Sequence, residues 1–254
     1  LGVWAAQIPI FPKTTLYYEI QPVEGGLIEP LLGYWQRWDA IHYQRIVENG
    51  YSNQTSVFFP LYPLAARLLG GLTGMGSLAA LLVVSNLATL VAFKVLYEIT
   101  QEDYGEATAR TAVVVAVLLP TGFFLFAPFP NALSLMLILL AYQAARRNQF
   151  LLASLLGIAT GLTHGTGIAL ALLLANETIR ALRQPKKNLL HWGILALPIT
   201  PLMGTAIFMA WRYAQGLPSY ALVQETLWVR GLQWPWVSLM RVPNSLLIPI
   251  RQFS

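Results

Sequence analysis

Four short stretches of this sequence hold side chains that could do chemistry. The first is Arg37-Trp38-Asp39-Ala40-Ile41-His42-Tyr43, followed by Asn49-Gly50-Tyr51, which sets one carboxylate among aromatic rings. A carboxylate there can act as a general base: partial removal from water strengthens its hold on a proton, and the Arg37 charge restrains it. The plainer reading is a solvated acid ion-paired with Arg37, because structural ion pairs perturb carboxylates as well. The second stretch, Phe58-Phe59-Pro60-Leu61-Tyr62-Pro63, is a rigid apolar turn that could guide a lipid chain or simply anchor at the membrane–water boundary, where aromatics collect. The third, Ala127-Pro128-Phe129-Pro130-Asn131, ends on an Asn that could cap the next helix or bind a sugar hydroxyl. In the fourth, Thr163-His164-Gly165-Thr166-Gly167, a His sits between apolar blocks. Such a His is either a satisfied buried group or, inside a membrane, a functional one. The glycines allow a helix break, whose exposed backbone ends attract phosphate.

Other chemistries find no support. His42, His164 and His191 are isolated from one another and from carboxylates at ligand spacing, so no metal site is expected. There is no Cys, which excludes disulfides and thiolate chemistry. Neither a G-x-S-x-G elbow nor a Gly-rich phosphate loop occurs. The net charge of +5 comes without a basic stripe interleaved with aromatics, so no nucleic-acid partner is expected.

The elements that must position these residues are membrane helices. Of 254 residues, 56% are hydrophobic and only 11% charged, against about a quarter charged in soluble domains. The apolar residues fall in long blocks, as a bilayer of roughly 20 residues per span requires. Spans are expected at Gly76–Tyr97, Ala107–Ala127, Asn131–Ala145 and Leu189–Trp211, the last bent by Pro198 and Pro201. Phe150–Asn176 is expected as a pair of short helices broken at Thr163–Gly167, a form tolerated at membrane depth only where it lines a cavity. Residues 1–75, rich in proline and aromatics, read as a long outer loop with short interfacial helices; residues 76–211 form the transmembrane part, and 212–254 a second outer segment. The whole, 1–254, is one transmembrane domain, expected to be a piece of a longer protein, with no identifiable signal peptide. Basic turns stay cytoplasmic, so Arg146-Arg147 and the group Arg180, Arg183, Lys186 and Lys187 set the inside. Asp39, Asn131 and His164 then share the outside face and are expected to line one cavity.

Read together, these motifs resemble the PIG-V-like mannosyltransferases, the GPI mannosyltransferase II family and its bacterial relatives. The pair Trp38-Asp39 and Phe59-Pro60-Leu61-Tyr62-Pro63, in that order and spacing, carries the resemblance; either piece alone would be weak. Leu119-Pro120-Thr121, Phe126-Ala127-Pro128, Ala132-Leu133-Ser134-Leu135 and Gly165-Thr166-Gly167 follow in the family's order, so the likeness covers Trp35 to about Ala175. Two positions depart from it: Asn131 stands where the family usually has an acid, and His164 where it usually has Arg. Both fall on the face that should hold the sugar phosphate, and they bear on full activity.

The resemblance implies an all-α, polytopic membrane protein of the GT-C glycosyltransferase type, acting without a metal or other cofactor. It implies a polyprenyl-phosphate sugar donor, a glycan or glycolipid acceptor and membrane lipids as partners. The location would be the plasma membrane in a bacterium or the endoplasmic reticulum membrane in a eukaryote. Asp39 would be the base; Arg37, His42 or His164 would steady the departing phosphate; Trp38, Tyr43, Phe59, Tyr62 and Asn131 would hold sugar and prenyl chain. Two other classes stay open: a weakened homologue that binds lipid or a partner protein, and a lipid or solute transporter. Transporters tend to show paired broken helices, and only one broken segment is visible here.

Overall fold

The computed structural model describes residues 32–183, 194–228 and 236. Lys186, Lys187 and His191, and most of the two expected terminal segments, lie outside them. Among the described residues every regular element is helical. In chain order these are α1 (Asp39–Asn49), α2 (Leu61–Thr73), α3 (Ser77–Tyr104), α4 (Glu106–Leu118), α5 (Phe123–Phe126), α6 (Asn131–Arg146), α7 (Phe150–Gly161), α8 (Leu170–Leu182), α9 (Thr200–Ala214) and α10 (Tyr220–Thr226). Short 3₁₀ turns join several of them, at Thr55–Val57, Pro120–Gly122, Gly165–Ala169 and Ile194–Ile199 among others.

Among the described residues, two helical stretches are long and apolar enough to cross a bilayer, Ser77–Tyr104 and Ile194–Ala214. The stretch expected as the second span, Ala107–Ala127, is bent by 74° between Glu106–Leu118 and Pro120–Phe126. Pro120 is the cause. It donates no backbone hydrogen bond and forbids helical backbone to the residue before it, and Leu119 is accordingly extended at ψ 135°. Gly122 lets the chain fold back: a Cβ there would stand 2.8 Å from the Ala116 carbonyl. The broken stretch strands carbonyls, and α3 satisfies them. Thr89 Oγ1 donates to the Leu125 carbonyl (2.6 Å), Asn86 Nδ2 to Phe126 (3.2 Å) and Ser85 Oγ to Phe129 (3.1 Å).

These bonds also show that α3 and α6 run side by side in one direction. At the far end Gln143 Nε2 donates to Glu98 (2.9 Å), and Arg146 grips Asp103 with both terminal nitrogens (2.7 and 2.6 Å). The chain turns, α7 climbs back, breaks, and α8 returns, so that Arg180 donates to the Arg146 carbonyl (2.9 Å). Arg146, Arg147 and Arg180 therefore sit at one end of the bundle, with Glu102 and Asp103 as counter-charges of the first two and Glu177 of the third.

The tightest seam joins α7 to α9. Gly157 and Gly161 face Thr200 and Gly204 at matching four-residue spacing. A Cβ on Gly161 would overlap the Pro201 carbonyl, and one on Gly204 the Ile158 carbonyl. Small residues here let two backbones touch, the packing that holds helices together where the surrounding solvent is as apolar as the side chains.

Candidate functional site

The site grows from a strained turn. Trp38 has φ 51° and ψ −133°, a conformation that suits glycine and costs a bulky residue about 1–3 kcal/mol. Ala40 N donates to the Arg37 carbonyl (3.1 Å), so Arg37–Ala40 is a tight turn of the II′ kind with Trp38 in the corner. The turn throws the indole outward, 60% exposed, and sets Asp39 as the first residue of α1, half-buried. A carboxylate in the first helical turn is favoured by the dipole behind it. The anticipated Arg37–Asp39 ion pair is not among the ion pairs of the described residues, and Asp39 is engaged by other contacts.

His164 arrives from the break between α7 and α8. Its backbone is extended (φ −161°, ψ 144°), and its Nδ1 caps the 3₁₀ turn Gly165–Ala169 by accepting from Thr166 N (3.2 Å). Gly167 is required by close approach: a Cβ there would lie 2.8 Å from the Thr160 carbonyl. The break is docked on the first loop, since Leu61 N donates to the Leu162 carbonyl (3.0 Å) and the Phe59 ring covers Gly165. Asp39 and His164 are thereby brought within electrostatic reach of each other, at the end of the bundle opposite Arg146.

The aromatic–proline motif faces inward, not toward lipid. Phe59 is buried on Phe208 (ring centroids 4.8 Å). Tyr62 is fully buried; its hydroxyl reaches the Leu81 carbonyl (3.0 Å) and Ser85 Oγ (2.8 Å). Tyr43 lies edge-on to both Phe58 and Tyr62. Burial, with the Asp39 charge adding to it, holds the Tyr43 phenol well above its usual range, so it stays protonated. The outward face belongs to the rest of α2, where Leu64, Leu68 and Leu72 are exposed at four-residue steps. His42 is buried between the Phe58 ring (5.2 Å) and Trp228 (4.9 Å). Burial, then the Arg45 charge, lowers its pKa from 6.5 to about 4, so it is neutral near pH 7 and brings no positive charge to a phosphate.

Asn131 does not cap α6. It is the first helical residue, Pro130 holds the cap position, and no side-chain cap forms. Its side chain is exposed and makes no hydrogen bond among the described residues. Ser85 ties the adjacent Phe129 to the Tyr62 cluster, which leaves Asn131 at the same end of the bundle as Asp39.

One structural residue was not anticipated. Arg212, 3% exposed, donates Nη2 to Ser56 Oγ (3.2 Å) and to the Pro218 carbonyl (2.8 Å), with its guanidinium over Phe208 and Tyr220. It clamps the end of α9 and the segment after it onto the turn that precedes Phe58. A lone arginine near the end of an apolar stretch was the signal available.

The profile of the family described as Mannosyltransferase (PIG-V) matches residues 25–215. The chain belongs to this family. Among curated proteins it is similar to "GPI alpha-1,6-mannosyltransferase 2" of Cricetulus griseus, 33% identical over 160 residues, which cover 58% of this chain and 32% of that protein. The Homo sapiens protein of the same name is 29% identical over 277 aligned positions, 87% of this chain and 56% of that one. The chain thus spans between about a third and just over half of these relatives. No solved structure matches it. The all-helical architecture with long apolar helices fits the GT-C type expected of this mannosyltransferase family.

Proposed function

We propose that this chain carries the reacting face of a multi-pass membrane glycosyltransferase that moves a mannosyl group from a polyprenyl phosphate to a hydroxyl of a glycolipid acceptor, on the non-cytoplasmic side. The observation that carries the reading is the pairing of Asp39, set on α1 by the strained Trp38 turn, with His164 from the broken α7–α8 segment. Two chemically active groups far apart in sequence come within electrostatic reach at the end of the bundle away from the basic turns. Membership of the mannosyltransferase family supports the sugar and the reaction class.

In this mechanism Asp39 takes the acceptor's hydroxyl proton as the acceptor oxygen attacks the sugar C1. The C1–O bond to the polyprenyl phosphate breaks from the opposite face, the phosphate leaves with the bonding pair, and the sugar inverts. A base of this kind is worth about 10²–10⁴-fold in rate. Trp38 and Arg37 edge the site, whereas Tyr43, Phe59, Tyr62 and His42 position it from beneath. The exposed Leu64, Leu68 and Leu72 face is the surface along which a prenyl chain would lie. Incubating membranes that contain the protein with labelled polyprenyl-phosphate mannose and a panel of acceptors tests the reading. Label transferred to a glycolipid supports it. Retained donor binding with no transfer to any acceptor would instead make the chain a lipid-binding homologue.

A further inference from the structure

We infer that His164 acts as a neutral hydrogen-bond donor: capped at Nδ1, it offers its Nε2–H to an oxygen of the donor's phosphate. The inference rests on the transferase reading above and names how that site holds its substrate.

The geometry fixes the tautomer. A backbone N–H can only donate, so the Thr166 N–H that points at Nδ1 (3.2 Å) requires a lone pair there. Thr166 Oγ1 approaches the same atom at 2.7 Å and can donate as well. The one proton of the neutral ring is therefore on Nε2. Protonating Nδ1 would break the cap that starts the Gly165–Ala169 turn, so the fold itself opposes the imidazolium. The ring is half-exposed, with Nδ1 engaged by the turn and no hydrogen bond of Nε2 among the described residues.

A neutral donor suits this position better than a cation. The Asp39 charge acts on His164. A permanent cation in its place would pair with Asp39 and weaken it as a base. An N–H donor stabilises the negative charge that grows on the phosphate as the C1–O bond breaks, without adding a cation that would lower the basicity of Asp39. No proton leaves His164: it is an Nε2–H donor before, during and after the transfer.

Three variants separate this role from capping alone. His164→Asn keeps a cap acceptor, since Asn is among the best N-caps, but removes the Nε2–H. His164→Ala removes both, and His164→Arg supplies a cation without a cap acceptor. Purified whole protein is assayed for kcat and donor KM with labelled polyprenyl-phosphate mannose, with thermal unfolding measured alongside. The expected result is that His164→Asn unfolds like the parent but loses about 10²–10³-fold in kcat/KM, the loss expected of one missing donor to a developing oxyanion. His164→Ala should lose stability as well, and His164→Arg should not recover activity. Parent-like kcat/KM in His164→Asn, or recovery in His164→Arg, would overturn the inference while leaving the transferase reading standing. An inactive parent would overturn both. A second measurement is independent of any variant's folding. With only three histidines in the chain, ¹⁵N imidazole spectra of the parent at pH 7 should show one ring of His164 type with bare Nδ1 and protonated Nε2. An imidazolium or an Nδ1–H pattern there would contradict it.

Discussion

Tyr62 and His42 show how much of the motif's chemistry is structural. Tyr62 joins α2 to α3 through two hydrogen bonds and, by way of Ser85, to the Phe129 turn. Tyr62→Phe keeps the ring and leaves the Leu81 carbonyl and Ser85 short of a partner. It should cost about 1–2 kcal/mol in unfolding free energy with donor KM nearly unchanged. A rise in KM without loss of stability would return Tyr62 to the substrate. His42 gives a pH signature. Its folded pKa is about 4 against 6.5 for the free group, so between these values the unfolded chain binds the extra proton. Its contribution to stability is complete above pH 6.5 and is lost as pH falls toward 4. Melting temperatures in detergent should fall more steeply between pH 7 and 4.5 in the parent than in His42→Phe; parallel curves would show that His42 does not titrate in this window.

At the scale of elements, the α7–α9 seam and the α4–α5 bend decide whether the site can form. In the seam, a methyl on Gly161 or Gly204 meets helix backbone, which cannot turn aside, whereas one on Gly157 meets the Thr200 side chain, which can. Gly161→Ala and Gly204→Ala should therefore each cost more than Gly157→Ala, with overpacking of this kind worth about 1–3 kcal/mol. The reverse order in thermal unfolding would show that the two helices are not in contact as described. This seam escaped sequence reading because Gly157 and Gly161 were seen only as members of an apolar block, and their partners lie some forty residues on. The broken helix at His164 was legible, since glycines and a polar cluster interrupt an apolar run. The bend at Pro120 was not, although its cause is local: the apolar run continues through it, and hydropathy hides a backbone break. The inward turn of Phe58, Phe59 and Tyr62 was hidden for a different reason, because an aromatic that anchors at an interface and one that packs in a core look alike until Phe208 and Ser85 are placed beside them.

For the whole molecule, the sequence pattern of basic turns and the helix directions agree on which groups share an end. Arg146 and Arg147 lie with Arg180, and Asp39 lies with His164. We propose that the first end is cytoplasmic. Single cysteines placed in this Cys-free chain at positions 37 and 147 should label from opposite sides of sealed membranes, and labelling of both from one side would refute the topology. That Asp39 and His164 share a face was legible from the basic turns; the contacts that hold them there, the Leu61–Leu162 bond and the Phe59 ring over Gly165, were not. Transfer from labelled polyprenyl-phosphate mannose by Asp39→Asn, compared with the parent in the same membranes, bears on the role of Asp39 directly. Asparagine keeps the size and hydrogen bonding of Asp39 and removes its basicity. Turnover should fall by about 10²–10⁴-fold while donor binding and thermal unfolding stay close to those of the parent. Near-normal transfer by Asp39→Asn would show that Asp39 is a structural residue of the Trp38 turn and that the proton is taken elsewhere.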